Sequence, residues 1–153
     1  MITFLPDPTF EVCARVLDWR RLNKQRSEAK LLLEILMGRS SGWIHHPIVA
    51  MWCGYERALA AYGVAICEEW RSRSYVDNLL PFFDSCLSQL NGGDPHWLGK
   101  EALHSSHRAA LLAKDPEWYG RFGWTERPGI HYIWPIGRAK PSLEIRSQIR
   151  AQG

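Results

Sequence analysis

The sequence predicts an all-α protein: a compact single-domain helical bundle with an extended N-terminal arm. Three observations carry that expectation. Apolar residues recur at helical spacing over 9–37 and again over 48–70, the pattern of amphipathic helices. No segment alternates apolar and polar residues convincingly, as a half-buried strand would. The 153 residues, 46% hydrophobic with eight Trp, suit one domain that buries about two thirds of its unfolded surface.

The elements follow in order. Residues 1–8 carry Pro6 and Pro8, which exclude a helix and favour an extended arm. Asp7 or Thr9 can cap the first helix, with Pro8 near its first turn. That helix is expected to run to about Met37 and stop at Gly38. On it, Phe10, Cys13, Ala14, Leu17, Leu31, Leu32 and Ile35 form one apolar stripe. Arg21 and Glu28 interrupt the centre of the stripe, with Lys24 and Gln25 on its flanks. Burying an unpaired charge costs several kcal/mol, so such residues are paired or line a cleft. Two readings fit. One is a core helix with an internal Arg21–Glu28 pair. The other is a helix packed at both ends whose basic, carboxylate-bearing middle faces a cavity.

Residues 38–47 form a loop in which Trp43, His45 and His46 could touch a ligand. A second helix starts near Pro47, with a stripe of Ile48, Trp52, Tyr55, Leu59, Tyr62, Ile66 and Trp70. Its regular spacing favours core over a base-stacking platform. A third helix is expected over Val76–Leu90, with Pro81 in its first turn or breaking it, and a turn at 91–95. A fourth covers Lys100–Ala113. Asp115-Pro116 starts a short turn containing Trp118 and Tyr119. The helical domain is expected to span 1–135, and 136–153 to be a basic C-terminal tail.

The net charge is only +3, but its distribution is uneven. Arg15, Arg20, Arg21, Lys24, Arg26 and Lys30 crowd one helix against Asp18 and Glu28. Arg138, Lys140, Arg146 and Arg150 gather in the tail. Clustered cations beside aromatics suit a polyanion such as nucleic acid, although a solvated charged face gives the same pattern. Cys13, Cys53, Cys67 and Cys86 include no C-x-x-C and read as buried thiols in a reducing compartment. No apolar run approaches 18 residues, and the N-terminus has neither a basic nor an apolar signal region. A cytoplasmic protein with no membrane partner is expected.

His104 and His107, at i and i+3, could hold a metal, but no H-E-x-x-H accompanies them. Phosphate contact or a core-capping role fits them better. There is no G-x-S-x-G and no glycine-rich phosphate loop, so Ser-hydrolase and nucleotide-triphosphatase chemistry have no support. An α-amine titrates near 7.7–8.0, far below lysine, so an arm that brings the chain terminus to Glu28 would supply an amine nucleophile.

Four stretches then carry a family resemblance. They are Thr3-Phe4-Leu5-Pro6; Leu17-Asp18-x-x-Arg21-Leu22-x-Lys24-Gln25-Arg26-x-Glu28; His46-Pro47 leading to Met51-Trp52-x-x-Tyr55; and His104-Ser105-Ser106-His107-Arg108 followed by Lys114-Asp115-Pro116-Glu117-Trp118-Tyr119-x-x-Phe122-Gly123. Over residues 1 to about 135 the chain resembles pyrimidine-dimer DNA glycosylases of the bacteriophage endonuclease V type, and is similar to the bacterial members that begin with an F-L-P segment.

The resemblance implies a monomer acting on double-stranded DNA that carries damaged or modified pyrimidines, with no metal and no cofactor. The terminal amine would attack C1′ of the damaged nucleotide, and a Schiff base and β-elimination would follow. The family's glutamate falls on Glu28. Arg21 and Arg26 would hold phosphates, and Trp118 and Tyr119 would lie against DNA. Lys24, His46, His104, His107 and Arg108 are further candidate DNA contacts. One departure matters. The phage enzyme exposes a small second residue by losing its methionine, whereas Ile2 should block that removal and leave Met1 as the nucleophile, or leave a glycosylase without the Schiff-base step. The rival readings are a non-catalytic DNA-binding module and a metal-dependent hydrolase built on His104 and His107.

Overall fold

The structure, a computed structural model, describes residues 1–138. Among these residues it is all-helical: α1 (Phe10–Val16), α2 (Trp19–Leu36), α3 (Pro47–Trp52), α4 (Glu56–Ser72), α5 (Leu80–Gln89), α6 (Glu101–Lys114) and α7 (Pro116–Tyr119), then a 3₁₀ turn over Gly120–Phe122. Helix α4 is the centre, packed against α1, α2 and α5. One continuous core joins all of these elements.

Two expected helices are each broken once. The helix foreseen over 9–37 stops at Val16, and Leu17 and Asp18 are extended. Asp18 restarts it as the N-cap of α2, its carboxylate accepting from the Arg21 amide at 3.4 Å. A capping aspartate satisfies backbone N–H groups that a continuous helix would not leave open. The helix foreseen from Pro47 breaks at Gly54, whose φ of +87° lies where only glycine is at ease. Both breaks preserve the face. Trp52, Tyr55, Leu59, Tyr62, Ile66 and Trp70 are all buried, as core residues. The third helix starts later than expected, at Leu80. Asp77 accepts from the Leu79 and Leu80 amides at 3.2 and 2.7 Å and ends the preceding loop, with Pro81 in the first turn. Gly63 lets α5 close on α4, since a Cβ there would meet the Phe83 ring at 2.2 Å.

The arm is the unusual element. Residues 2–6 run extended between helices, and side chains, not a neighbouring strand, satisfy their backbone. Glu28 and Gln25 hold Ile2. Trp52 donates its indole N–H to Thr3 Oγ1 at 3.0 Å. Gln25 and Tyr62 hold Phe4. His107 and His104 hold Leu5, and Arg108 donates to the Pro6 carbonyl at 2.9 Å. Phe4 and Leu5 are buried in the core, which stabilises the docked arm by about 1.5–3 kcal/mol each.

After the 3₁₀ turn, residues 124–138 return across the molecule as a strap. Gly129 N–H bonds to Ala109 O, and Gly137 and Arg138 N–H groups bond to Ala50 O and Cys53 O at 2.7 and 2.9 Å, capping α3. Of the basic tail expected over 136–153, residues 139–153 lie outside the described residues.

Candidate active site

The middle of α2 does face a cavity. A cleft of about 610 Å³ is lined by Ile2 and Phe4 of the arm, by Asp18, Trp19, Arg20, Arg21, Lys24, Gln25 and Glu28 of α2, and by Lys114, Asp115 and Trp118. Its floor is set by α2 periodicity: residues 21, 25 and 28 recur every three or four positions and share one face. The Arg21–Glu28 pair is not formed. Arg21 instead binds Asp18 at 3.0 Å, and Glu28 pairs with Lys24 at 3.6 Å.

Glu28 is the acid at the arm's end. Its Oε2 accepts from the Ile2 amide at 3.3 Å and from Gln25 Nε2 at 3.4 Å, and its side chain is only 13% exposed. Adjacent backbone nitrogens are separated by about 3.7 Å at most, so the Met1 amine lies within roughly 7 Å of that oxygen. Gln25 is the arm's main clamp. Its Oε1 accepts from Phe4 N–H at 3.1 Å and Tyr62 O–H at 2.7 Å, while its Nε2 donates to Ile2 O at 2.9 Å. Every polar atom of this buried amide is used, which fixes the arm's register.

Asp18 forms the other pole. Tyr119 O–H donates to its carboxylate in a short bond, the same hydroxyl accepts from the Asp18 amide at 3.1 Å, and Arg21 donates at 3.0 Å. Burial by itself would raise the Asp18 carboxyl. The hydrogen bonds from Tyr119 and Arg21, with the Arg21 charge, outweigh it and hold the group below its ordinary range. Burial, then Asp18, pushes Tyr119 well up. The pair therefore fixes a carboxylate that aims Arg21 along the cleft.

The structure corrects several of the expected DNA contacts. His104 and His107 are 1% and 0% exposed. His104 Nε2 accepts from Gly99 N–H at 2.9 Å, so its Nδ1 carries the proton and donates to Leu5 O at 2.8 Å. His107 Nδ1 accepts from Leu5 N–H at 2.8 Å, and its Nε2 is buried without a partner. The two imidazoles clamp the arm and are unavailable to a phosphate or a metal. Among the described residues no group of three or more His, Cys, Asp or Glu is placed to hold a metal ion. Burial, with the neighbouring His104, pushes His107 down to about 3. Arg108 is spent on Glu126, Glu101 and the Pro6 carbonyl. Arg26 is spent on Asp77 at 2.6 Å and Asn23 at 2.9 Å, away from the cleft. Tyr119 is fully buried and supports the site from behind.

Trp118 does line the cleft, pinned by its indole N–H to Val16 O at 2.8 Å and covered by Arg121 at 3.7 Å from the ring centroid. His46 caps α3 and sits edge-on to Trp43 and Trp134. Burial, and next the charge of the terminal amine, lowers its pKa, with Glu28 opposing.

A family model described as pyrimidine dimer DNA glycosylase matches residues 1–80, which span the arm, α2 and Glu28. The chain belongs to this family. No curated protein and no solved structure matches it significantly. Family membership supports a DNA repair role as a pyrimidine dimer DNA glycosylase, with DNA as substrate. The matched part of the glycosylase contains both ends of the Ile2–Glu28 contact. The other wall of the cleft, Lys114 to Trp118, comes from beyond it. Among the described residues no helix is long and apolar enough to cross a membrane.

Sequence reasoning missed Asp18, Trp19, Arg20, Lys114 and Asp115 as cleft residues, and Gln25, Tyr62 and Trp52 as arm clamps. The signal for the clamps was available: a Tyr or Trp on a core stripe needs a partner for its polar atom, and an unpaired extended arm needs donors and acceptors.

Proposed function

We propose that the chain excises damaged pyrimidines from double-stranded DNA with the Met1 α-amine as nucleophile and Glu28 as its acid–base partner. The observation that carries this reading is the 3.3 Å bond from the Ile2 amide to Glu28 Oε2, in a cleft large enough for a nucleotide. The amine nitrogen attacks C1′ as the C1′–N1 bond breaks, and the base takes that electron pair and a proton, staying tethered to its neighbour through the cyclobutane ring where the lesion is a dimer. The nitrogen loses its protons, the sugar ring opens, and an imine joins C1′ to the chain. Removal of a C2′ proton then expels the 3′ phosphate by β-elimination, and water releases the product. Glu28 stabilises the cationic sugar and moves these protons. Arg21 and Lys24, with Arg20 and Lys114, neutralise phosphates around the lesion. Trp118 lies against the DNA. His46, half-buried at the start of α3, contacts the DNA.

The test is borohydride trapping on duplex carrying a cyclobutane thymine dimer, followed by peptide mapping. An adduct on the Met1 nitrogen is expected, and acetylation of the terminus should abolish it with little effect on binding. Glycosidic cleavage, read as an alkali-labile site, without an adduct would leave a glycosylase that uses water instead of the amine. Binding without such cleavage would leave a non-catalytic DNA-binding module.

A further inference from the structure

We propose that Tyr132 is a positioning residue for the N-terminal arm, its ring covering the buried imidazole N–H that the arm's clamp leaves unpaired. The inference rests on the glycosylase reading above only for its effect on turnover. His107 is fully buried and its Nδ1 accepts from the Leu5 amide at 2.8 Å, so the proton of the neutral ring sits on Nε2. That N–H has no hydrogen-bond acceptor among the described residues. Buried donors are nearly always paired, so an orphan calls for a physical reason. The Tyr132 ring meets the His107 ring edge to face, with centroids 5.4 Å apart, and an aromatic face is a weak acceptor for an N–H.

The strap is pinned to α6 on either side of Tyr132. Ile133 N–H donates to Ser106 Oγ at 3.3 Å, and Gly129 N–H donates to Ala109 O at 3.1 Å. Tyr132 itself is half-buried and packs against the core. It does not line the cleft, and it comes from beyond the residues that the family model matches. Its ring therefore acts on the reaction through the arm. The titratable groups facing His107 are His104 on α6, which disfavours its protonation, and Tyr132 on the strap; the arm presents the Leu5 amide. Without the Tyr132 ring, water reaches Nε2 and burial no longer penalises the charged imidazole. A proton added at Nδ1 then sets one N–H against another, and the Leu5 clamp is lost.

The experiment follows the full chain by NMR, without DNA, in wild type, Tyr132→Ala, Tyr132→Phe and Trp134→Ala. Trp134 touches Tyr132 further along the strap, with ring centroids 5.8 Å apart, so its loss loosens the strap and leaves the cover on His107. His107 should stay neutral down to about pH 4 in wild type. In Tyr132→Ala its midpoint should rise above about 5. Below that midpoint the Leu5 amide of Tyr132→Ala should open more often than that of wild type, by up to about tenfold for each pH unit. Tyr132→Phe keeps the ring and should behave as wild type, and Trp134→Ala should leave the His107 midpoint in place. A midpoint that stays below about 5 in Tyr132→Ala, Leu5 opening with the pH dependence of wild type, a Phe variant as open as Ala, or an equal shift in Trp134→Ala would overturn the assignment. None of these readouts needs a substrate. At pH 5 glycosidic cleavage of dimer duplex should be slower in Tyr132→Ala than in Tyr132→Phe. If the arm opens as stated and cleavage does not follow it, the amine-nucleophile reading fails and the positioning of the arm by Tyr132 stands.

Discussion

Replacing Gln25 with Met is the sharpest test of the arm. The substitution keeps the side chain's length and its helix propensity. It removes the acceptor of the Phe4 amide and the donor to the Ile2 carbonyl, together with the partner of Tyr62 O–H. Each buried backbone group left unsatisfied costs about 1–3 kcal/mol. Ile2 is only half-buried, so its share belongs at the low end, and the sum is about 2–4 kcal/mol. The helices around Gln25 lose no packing, so the loss falls on arm docking rather than on the bundle. Hydrogen exchange should show the Phe4 and Leu5 amides opening about 30- to 900-fold more often, with the α4 amides unchanged. Glycosidic cleavage of dimer duplex should fall much less, by up to several-fold, because the terminal amine reaches Glu28 only in the docked fraction and docking starts with a margin of only a few kcal/mol. Binding to the same duplex should change little. Arm protection and glycosidic cleavage both within about twofold of wild type would refute the claim that Gln25 sets the arm's register.

Other outcomes follow from the same geometry. Glu28→Gln should keep DNA binding and lose glycosidic cleavage, and surviving turnover would reduce Glu28 to a partner of the cations. His107 is depressed to about 3, so between about pH 6.5 and 3 the unfolded chain takes up a proton that the native one refuses. Stability should fall on acidification by about 1.4 kcal/mol per pH unit across that window, and urea melts of His107→Gln should show the slope flattened. Tyr119→Phe should cost about 1–3 kcal/mol at pH 7. Asp18 is held below its ordinary range, so this stabilisation is present above about pH 4 and the gap to wild type should close as pH falls below it. Gly137→Ala would set a Cβ 2.3 Å from Cys53 O and 2.9 Å from Ala50 O. It should undock the strap, lower the melting temperature by roughly 3–10 °C, and expose residues after 123 to limited proteolysis.

What was legible in the sequence was whatever a local rule determines. Pro6 and Pro8 gave the arm, regular spacing gave the buried stripe from Trp52 to Trp70, and charges on the α2 stripe left the cleft as one of two readings. The breaks at Asp18 and Gly54 were hidden because the apolar face continues through both. The cap residue and the positive-φ glycine were the only local marks. His104 and His107 were misplaced for a different reason. Their i, i+3 spacing put them correctly on one face, but their partner, Leu5, lies about a hundred residues away in sequence. Arg26 and Arg108 carried charge that looked available for phosphate until the fold supplied Asp77 and Glu126. Trp19 was passed over because composition cannot tell an exposed tryptophan from a buried one.

The arm's energetics explain why such scattered residues act together. Ordering six backbone residues costs roughly 6–12 kcal/mol. Eight side-chain hydrogen bonds hold residues 2–6, worth about 1 kcal/mol each, and burial of Phe4 and Leu5 adds about 3–6 kcal/mol. The balance favours docking by only a few kcal/mol. An amine on a loosely held terminus would sample the cleft rarely, whereas one in register stands near the reacting carbon, where orientation contributes most to rate. Gln25 sets that register, and the hold on it is the sum of a glutamine and a glutamate on α2, a tyrosine on α4, two histidines and an arginine on α6, and an indole on α3. Because the margin is small, removing two of the bonds raises the undocked fraction measurably while the core stays folded. The site is therefore assembled by an equilibrium of its own, and mutations far along the chain, in α6 as much as in α2, should act on glycosidic cleavage through it.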